Sequence, residues 1–267
     1  MAGIFREYDI RGVYPSELND KNAYLIGASI ARFLKTNKII VGTSTDFPPF
    51  EVKLLNGTVV GFDIDIIRQI LTSQGYTIEI QDLPFDSLIL SLQNQQIDVV
   101  VAGLSITENR SKQINFSDPY YRADQSVLIK NDSGIVINNI SDCANLTVGA
   151  QTGTTGADWV QTNLIDTNLT PRSKFNQYEN QLDAIADLKT GGAQRPQIIV
   201  LDKPVARNFS KGDPTLKLTH TFITDEWYGI GVRKGNTELL NKINQGLAEL
   251  KTTAEWTALL QKYQLED

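Results

Sequence analysis

The chain has 267 residues, 41% of them apolar, which is enough to bury the core of one large domain or of two smaller ones. Its 31 acidic and 25 basic residues give a net charge of −6, which argues against binding to nucleic acid or to an anionic membrane surface. The single cysteine, Cys143, and the single histidine, His220, exclude an internal disulfide and a Cys/His metal cluster, so neither a metal nor a cofactor is predicted.

The N-terminal 36 residues differ in character from the rest of the chain. Residues 4–12 predict a short strand, and residues 22–34 predict a helix with apolar side chains at helical spacing. The stretch IFREYDIRGVYPSELNDKNAYLIGASIARFL resembles the opening of bacterial phosphomannomutase and phosphoglucomutase enzymes. The phosphoserine loop, metal-binding acids and sugar-binding loop of those enzymes have no match further on, so mutase activity is not implied. We interpret residues 1–36 as an appended strand and helix that pack against a neighbouring lobe or a second subunit.

The chain carries no sequence signal for membrane insertion or export. No apolar run reaches the roughly 20 residues that a membrane-spanning helix needs. The first residues, MAGIFREYDIRG, lack the basic and then apolar pattern of a secretory signal. We therefore expect neither a membrane span nor a signal peptide in this chain, and cytoplasmic expression is compatible with that expectation.

From residue 38 onward predicted strands and helices alternate, which is typical of a mostly parallel sheet. A hairpin over residues 50–60 turns at Asn56 and Gly57, and a polar run over residues 131–145 separates two alternating sets. The predicted strands cover residues 38–43, 76–81, 99–102, 126–130, 146–150, 197–201 and 228–233. The predicted helices cover residues 63–74, 85–93, 180–189, 237–250 and 254–263, with two more beginning at 154 and 203. This order predicts an α/β protein of two lobes joined by more than one crossing.

Residues 103–121, GLSITENRSKQINFSDPYY, combine a strand end, a helix start and an arginine. Gly103 follows an apolar run and lets the backbone approach a ligand closely. Thr107 is a predicted N-cap, and Arg110 follows three residues later. A helix N-terminus beside an arginine fork can hold a carboxylate through two parallel hydrogen bonds. The stretch therefore predicts a binding site for a small carboxylate. The alternative is a solvated arginine on an ordinary surface helix.

Several motifs follow one another in the order and at the spacing of one known family. They are KIIVGTSTDFPPFE, GTVVGFDIDIIRQI, FDSLILSLQNQQIDVVVAGLSITENR, INFSDPYY, VGAQTGTTG and YGIGVRKG. Over residues 38–263 the chain resembles the family 3 solute-binding proteins, the extracytoplasmic amino-acid receptors of ABC transporters. The resemblance implies a two-lobed, type II periplasmic binding protein-like fold, with ligand in an interlobe cleft that closes by a hinge. It places lobe 1 at residues 37–121 and 226–267, and lobe 2 at residues 122–225.

The resemblance also implies which residues hold the two charged groups of an amino acid. Arg110, with the backbone N–H groups of Ser105 and Thr155, would hold the α-carboxylate. Asp202 would hold the α-ammonium, together with the Gly103 carbonyl and the Ser105 hydroxyl.

Each of these roles has a plainer alternative. Thr154 and Thr155 lie in the motif GTTG, which opens a predicted helix, so simple helix capping is the alternative to ligand contact. The motif is not a phosphate-binding loop, because no Gly-Lys-Ser/Thr follows it. Asp202 directly follows an apolar strand and could be only the N-cap of the next helix.

The pocket for the ligand side chain is also implied by the resemblance. Phe47 and Phe85 match aromatic walls that stack on planar or aliphatic groups, with a purely structural core role as the alternative. Ser44 and Gln151 match further pocket positions. Several binders of basic amino acids carry an acid at the place of Ser44, so this departure argues against a strong cation preference, although Asp46 lies two residues on. The segments FDSLILSL and QTGTT are most similar to arginine-type receptors, so we expect arginine or another polar or basic amino acid.

The implied function is binding rather than catalysis: the protein would deliver a free amino acid to an ABC transporter permease, in the periplasm or at the outer face of the cell membrane. An enzyme of the cyclohexadienyl dehydratase type would use acids in the same cleft. The presence of both Arg110 and Asp202 favours a receptor for a zwitterion over such an enzyme. An amino-acid sensor module detached from transport stays open, whereas a phosphohexomutase fragment would require catalytic loops that the sequence lacks.

Overall fold

The computed structural model describes residues 5–6, 9–10, 19, 21, 23–27 and 37–266. Positions 21 and 23–27 are helical. The strands in these residues are β1 (Phe5–Arg6), β2 (Asp9–Ile10), β3 (Lys38–Thr43), β4 (Asp46–Phe47), β5 (Glu51–Lys53), β6 (Val59–Val60), β7 (Thr77–Asp82), β8 (Val99–Val100), β9 (Ile114–Phe116), β10 (Tyr121–Lys130), β11 (Val148–Gln151), β12 (Phe175–Tyr178), β13 (Ile198–Asp202), β14 (Leu216–Tyr228) and β15 (Gly231–Arg233). The α-helices are α1 (Phe62–Ser73), α2 (Leu88–Gln93), α3 (Glu108–Gln113), α4 (Thr155–Val160), α5 (Gln181–Thr190), α6 (Lys203–Gly212), α7 (Thr237–Lys251) and α8 (Ala254–Lys262).

The first lobe is built on a five-stranded sheet in the order β7-β3-β8-β15-β9. β3 pairs in parallel with β7 and β8, whereas β15 is antiparallel to β8 and β9. β3 reads as an apolar run because helices cover both of its faces. Helix α1 buries Phe62, Ile66 and Ile70 in the same cluster as Ile243 and Leu247 of α7. A small sheet of β4, β5 and β6 lies beside this lobe.

The second lobe is built on a five-stranded sheet in the order β12-β11-β13-β10-β14. β11 is parallel to β12 and β13, and β10 is antiparallel to β13 and β14. Val148, Ile198 and Val200 are buried in its core. This arrangement brings the carboxyl ends of β11 and β13 to the same edge, where parallel sheets present ligand-binding loops.

The long antiparallel pair β10 and β14 carries the chain between the two lobes. Tyr121 lies opposite Tyr228 at one end of this pair, and Lys130 lies opposite Leu216 at the other. A separate bridge joins Tyr228 to Ser105, which belongs to the first lobe. The two-lobed α/β architecture with more than one crossing is confirmed, whereas the residue boundaries of the lobes stay a prediction.

Several sequence expectations differ from the structure. The strand predicted over residues 228–233 is broken, because β14 ends at Tyr228 and β15 begins at Gly231. β9, β12 and most of β14 were not predicted, since their burial alternates or is partial and they contain many polar residues. Most of the N-terminal helix predicted over residues 22–34 lies outside the described residues, although 23–27 are helical and β1 pairs with β2 near the start. Within the described parts of the chain, no helix combines the length and apolar character needed to cross a membrane.

Candidate functional site

A cleft lies between the two lobes, at the edge where several strands end. Its lining comes from both lobes and consists of Phe47, Phe85, Gly103, Ser105, Arg110, Gln151, Thr154, Thr155, Gln181, Val200, Leu201 and Asp202. Nine of the ten predicted site residues are in this set, and Ser44 is the exception. The motifs that lie far apart in the sequence are therefore brought to one place.

Arg110 is a buried arginine on the short helix α3, with 8% of its surface exposed. The hydroxyl of Thr107 caps this helix by accepting a hydrogen bond from the Arg110 N–H, at 3.2 Å. The guanidinium donates from Nη1 to the Ser105 carbonyl at 2.8 Å and lies 5.4 Å from the centre of the Phe85 ring. Burial lowers the pKa of Arg110, and nearby Asp158 opposes that effect. The alternative of a solvated surface arginine is therefore wrong.

Helix α4 of the second lobe begins at the cleft. The Thr154 hydroxyl caps it by accepting from the Ala157 N–H at 3.1 Å, so the capping role is present in a residue that also lines the cleft. The Thr155 hydroxyl lies 3.4 Å from the Ser105 hydroxyl of the first lobe. Both threonines are therefore at the surface where the lobes meet, and Thr155 faces the opposite lobe.

Asp202 is the last residue of β13 and is 5% exposed. Its Oδ1 accepts a hydrogen bond from Gln125 Nε2 at 2.6 Å, and its Oδ2 accepts one from the Tyr228 hydroxyl. Burial raises the pKa of Asp202 to about 7, and the neighbouring charge of Glu226 adds to the rise. The side chain makes no capping bond to α6, so the alternative that Asp202 is only an N-cap is wrong.

Glu226 is a second acid at this end of the cleft. Its carboxylate accepts hydrogen bonds from Ser105 Oγ at 2.8 Å and from Gln125 Nε2 at 3.0 Å. Gln125 therefore bridges the two acids with one amide group, while its Oε1 has no hydrogen-bond partner among the described residues. This end of the cleft is rich in acceptors and carries two acidic side chains, which suits a cationic group.

Gly103 brings its backbone against the cleft in a conformation that few other residues adopt. Its φ is +51°, and a Cβ at this position would lie 2.7 Å from the Phe47 ring. Its N–H donates to Asp63 Oδ2 at 2.7 Å. Glycine is therefore required here both by the left-handed backbone and by the close approach of the aromatic ring.

Asp46, which is 2% exposed, lies behind the opposite end of the cleft and is not itself among the lining residues. Its Oδ2 accepts hydrogen bonds from Gln151 Nε2 at 2.8 Å and from the Gln181 N–H at 2.6 Å, and both donors belong to the second lobe. Ser44 donates from Oγ to Asp46 Oδ1 at 2.9 Å, so it supports this acid from behind and does not line the cleft. Burial raises the pKa of Asp46, and the Gln181 N–H opposes the rise.

The two aromatic walls have different surroundings. Phe47 is 9% exposed and stacks on the core residue Phe50 with ring centres 6.1 Å apart, so it serves the core and the cleft together. Phe85 begins a 3-10 turn over Phe85–Ser87, is half-buried and lies against Arg110.

Four polar residues at this site were not predicted as site residues: Asp46, Gln125, Gln181 and Glu226. Gln181 is the first residue of α5 and follows the N-cap Asn180. This is a helix start of the same kind as the one at GTTG, so the capping pattern could have identified Gln181 from the sequence. Gln125 and Glu226 lie within strands, where the sequence carries no local mark of a site. Among the described residues, no group of three or more His, Cys, Asp or Glu is placed to hold a metal ion.

Comparisons with known proteins agree on one family. Residues 39–266 match the family model of the bacterial extracellular solute-binding proteins, family 3. The arginine-binding extracellular protein ArtP of Bacillus subtilis (strain 168) is 32% identical over 231 residues, covering 85% of this chain and 86% of that protein. The ABC transporter arginine-binding protein 1 of Escherichia coli (strain K12) is 33% identical over 234 residues, covering 86% and 89%. The glutamine-binding protein GlnH of Bacillus subtilis (strain 168) is 30% identical over 243 residues, covering 90% and 85%.

Solved structures show the same similarity. A mutant of ArgBP from T. maritima has a TM-score of 0.80 and 37% identity, covering 89% of this chain and 100% of that one. An ancestral amino acid-binding protein described as a precursor of cyclohexadienyl dehydratase has a TM-score of 0.78 and 31% identity, covering 88% and 99%. The family match begins at residue 39, so the mutase-like character of residues 1–36 stays a prediction.

Proposed function

Because the chain belongs to the bacterial extracellular solute-binding proteins of family 3, we propose that its cleft binds a free L-amino acid, with arginine as the first candidate, for an ABC transporter. The family consists of transport components, and the chain is a binding protein rather than an enzyme. The observation that carries the proposal is that a buried arginine, Arg110, and a buried acid, Asp202, line the same interlobe cleft. An amino acid carries one group for each of them.

The α-carboxylate is assigned to Arg110. The guanidinium keeps two carbonyl partners, Ser105 O and Gly153 O, which orient its fork in the cleft. A carboxylate that approaches its remaining N–H groups would gain charge-assisted hydrogen bonds in a site where little water competes. The backbone N–H groups of Ser105 and Thr155 complete this assignment.

The α-ammonium is assigned to Asp202, with the Gly103 carbonyl and the Ser105 hydroxyl as further acceptors. The charge of Glu226 helps to raise the pKa of Asp202, and a bound cation between the two acids would remove that repulsion. Glu226 therefore strengthens the case for a cationic group at this position, since it already contacts both Ser105 and Gln125.

The ligand side chain is assigned to the end that holds Asp46, between the walls Phe47 and Phe85. The lining there offers the amides of Gln151 and Gln181, and Gln181 Nε2 is buried with no hydrogen-bond partner among the described residues. Asp46 lies behind these amides and accepts a hydrogen bond from Gln151, so its charge would favour a guanidinium that stacks on the aromatic walls without a direct contact. Relatives named for arginine and for glutamine support a polar side chain, with arginine favoured by the charge of Asp46.

Closure of the lobes on the ligand is supported by the hydrogen bonds that cross the cleft. Arg110 to Gly153 and Asp46 to Gln151 each join the two lobes. We infer that lobe 1 comprises residues 37–121 and 226–267 and lobe 2 residues 122–225, with the hinge in the crossing strands. We further infer that the protein works outside the cytoplasm with a permease, as the family description implies.

The test is a thermal-shift screen of refolded protein, freed of any co-purified ligand, against the twenty amino acids, ornithine and citrulline, followed by calorimetry. Ligand that binds only the folded state raises the apparent unfolding temperature by mass action. We expect arginine to give the largest shift, with smaller shifts from glutamine or other polar amino acids. A largest shift from another amino acid would correct the ligand, and no shift from any of them would overturn the proposal in favour of a different cleft ligand.

A further inference from the structure

Two carboxyl groups lie buried behind the cleft in a place that amino-acid binding does not explain. Glu51 on β5 and Asp63 on α1 are both 0% exposed. The Asp63 N–H donates to the Phe50 carbonyl at 3.1 Å, which fixes α1 beside the residue that precedes Glu51. The Glu51 and Asp63 side chains are within hydrogen-bonding reach of each other, and two carboxylates so placed would repel each other strongly in a poorly hydrated interior.

The hydrogen bonds of the pair are unequally distributed. Asp63 Oδ2 accepts two of them, from the Gly103 N–H at 2.7 Å and from the Tyr120 hydroxyl at 2.7 Å. Asp63 Oδ1 and both carboxyl oxygens of Glu51 are buried acceptors without a donor among the described residues. Buried polar atoms are rarely left unpaired in folded proteins, so a missing donor has to be found.

One proton accounts for two of these three unpaired oxygens and for the close approach of two acids. If Glu51 is a neutral carboxylic acid, its O–H donates to Asp63 Oδ1, the orphaned acceptor gains its donor and one of the two negative charges disappears. We propose that Glu51 and Asp63 share a single proton, and that this acid–carboxylate pair is the positioning element that holds the Gly103 backbone in the cleft. The proposal rests on the proposed function only for its ligand-binding readout.

The electrostatics of the pair agree with this geometry. Burial raises the pKa of Glu51 well above its usual range, and the charges of Asp63 and Asp46 act in the same direction. Burial also raises the pKa of Asp63, to about 6, while the bonds from Gly103, Tyr120 and Glu51 lower it. Asp46 and Tyr120 are the other titratable groups that act on the pair, and Tyr120 stays neutral because burial raises its pKa too.

The consequence for the cleft follows from the position of Gly103. Its N–H is bound to the ionised partner of the pair, and its residue lines the site assigned to the ligand ammonium. A hydrogen bond to a carboxylate is about twice as strong as one between neutral groups. The pair therefore fixes the orientation of the Gly103 peptide while adding only one charge to the interior.

The first test uses infrared difference spectroscopy on wild type and Glu51→Gln at pH 8. We expect the wild type to show the C=O stretching band of a neutral buried carboxylic acid, and Glu51→Gln to lack it. If wild type shows no such band at pH 8, Glu51 is ionised and the proposal is wrong. This result does not depend on any ligand.

The second test follows the Gly103 amide resonance by NMR as a function of pH. In wild type we expect a midpoint near 6, the pKa of Asp63. Glu51→Gln keeps a neutral side chain that can donate to Asp63, so the midpoint should be unchanged. Glu51→Met removes that donor from the Asp63 carboxylate and should therefore raise the midpoint. A midpoint that falls clearly in Glu51→Gln would mean that this substitution had removed a negative charge, and it would overturn the shared proton.

The third test measures arginine binding by calorimetry at pH 8. Glu51→Gln should bind like wild type, and Glu51→Met should bind roughly tenfold more weakly because the Gly103 anchor is perturbed. Leu92→Met is the matched control, since Leu92 is equally buried in the same lobe and belongs to a separate apolar cluster. Equal affinities of Glu51→Met and Leu92→Met would overturn the positioning role. Absence of arginine binding in wild type would instead contradict arginine as the ligand and leave the first two tests to decide the shared proton.

Discussion

Arg110 of the first lobe donates a hydrogen bond from Nη2 to the carbonyl of Gly153 in the second lobe, across 2.9 Å. The residue assigned to the ligand carboxylate thus also joins the two lobes by a hydrogen bond. Under the proposed assignment one side chain performs both tasks, so ligand capture and lobe closure would be coupled through it. Substitution of Arg110 should therefore affect both.

Arg110→Ala should reduce arginine affinity by about 3–5 kcal/mol, a roughly 100-fold or greater loss, because a buried carboxylate would lose its partner. Arg110→Lys keeps the charge without the planar fork and should give an intermediate loss. Calorimetry measures both. Lys112→Ala on the same helix is the control, since Lys112 makes only an exposed pair with Glu108. Unchanged affinity in Arg110→Ala would remove the carboxylate assignment.

Binding of the ligand ammonium should depend on pH through Asp202, whose pKa is raised to about 7 in the ligand-free protein. The ammonium needs the ionised acid, so affinity should be highest near pH 8 and fall by roughly tenfold per unit below pH 7, while deprotonation of the ligand amine lowers it at more alkaline pH. Calorimetry between pH 5 and pH 9 measures this. Asp202→Asn should bind weakly and show a smaller slope, and an equal slope in both proteins would exclude Asp202 as its source.

The raised pKa of Asp202 affects the stability of the ligand-free protein in the opposite direction: stability should fall as pH rises, whereas affinity should rise. The folded-state pKa of Asp202, about 7, lies above its ordinary value of 3.8, so the native state holds an extra proton between these values. The contribution is complete below about pH 4 and is lost as pH rises through 7. The unfolding free energy of wild type relative to Asp202→Asn should therefore fall from pH 4 to pH 8, as measured by denaturant unfolding. A difference that rises over this range would contradict the direction of the shift.

The sequence was sufficient for strands and site residues whose signal is local. β3 and β13 could be predicted because each contains an uninterrupted apolar run, IIVG in β3 and IIVL in β13, as expected of strands covered on both faces. β14 could not, since LKLTHTFITDEWY mixes polar residues with the exposed Ile223 and Trp227. Its identity as a strand comes from its long pairing with β10.

The residues of the site also fall into those that the sequence marks locally and those that it does not. Arg110 and Asp202 stand beside a helix cap and a strand end, and these marks can be seen in the sequence. Gln125 reaches Asp202 only because the register of β10 and β13 places the two residues opposite each other. Ser44 and Asp46 differ by two positions, and the structure shows that the acid rather than the hydroxyl meets the second lobe. Contacts set by strand register and lobe closure have no local sequence signal.

Asp46 should determine preference for a cationic side chain as well as closure. Asp46→Asn keeps the size of the side chain and removes its charge, so arginine affinity should fall by roughly tenfold while glutamine affinity changes less. Calorimetry with both amino acids gives the ratio, and Asp183→Ala on the exposed face of α5 is the control. Equal losses for the two ligands would show that Asp46 serves closure alone.

Removal of residues 1–36 should leave ligand preference unchanged. Every residue that lines the cleft lies between Phe47 and Asp202 in the sequence, and the family match begins at residue 39. The thermal-shift ranking of amino acids for the shortened chain should therefore equal that of the full chain. A changed ranking would show that the N-terminal residues reach the cleft or alter its closure.

Gly153→Ala should hinder closure of the cleft. Gly153 has a φ of +76°, and a Cβ there would lie 3.0 Å from the Cβ of Asp86, which belongs to the opposite lobe. Gly134→Ala is the matched control, because Gly134 has a φ of +68° and its Cβ would meet nothing within 4 Å. Both substitutions place alanine in the left-handed region at a cost of about 1–2 kcal/mol, so both should lower the unfolding free energy similarly. Only Gly153→Ala should weaken arginine binding and increase the radius of gyration in small-angle scattering, because only its methyl group separates the lobes. If both variants bind equally well, contact between Gly153 and Asp86 does not limit closure, and the lobes must meet elsewhere.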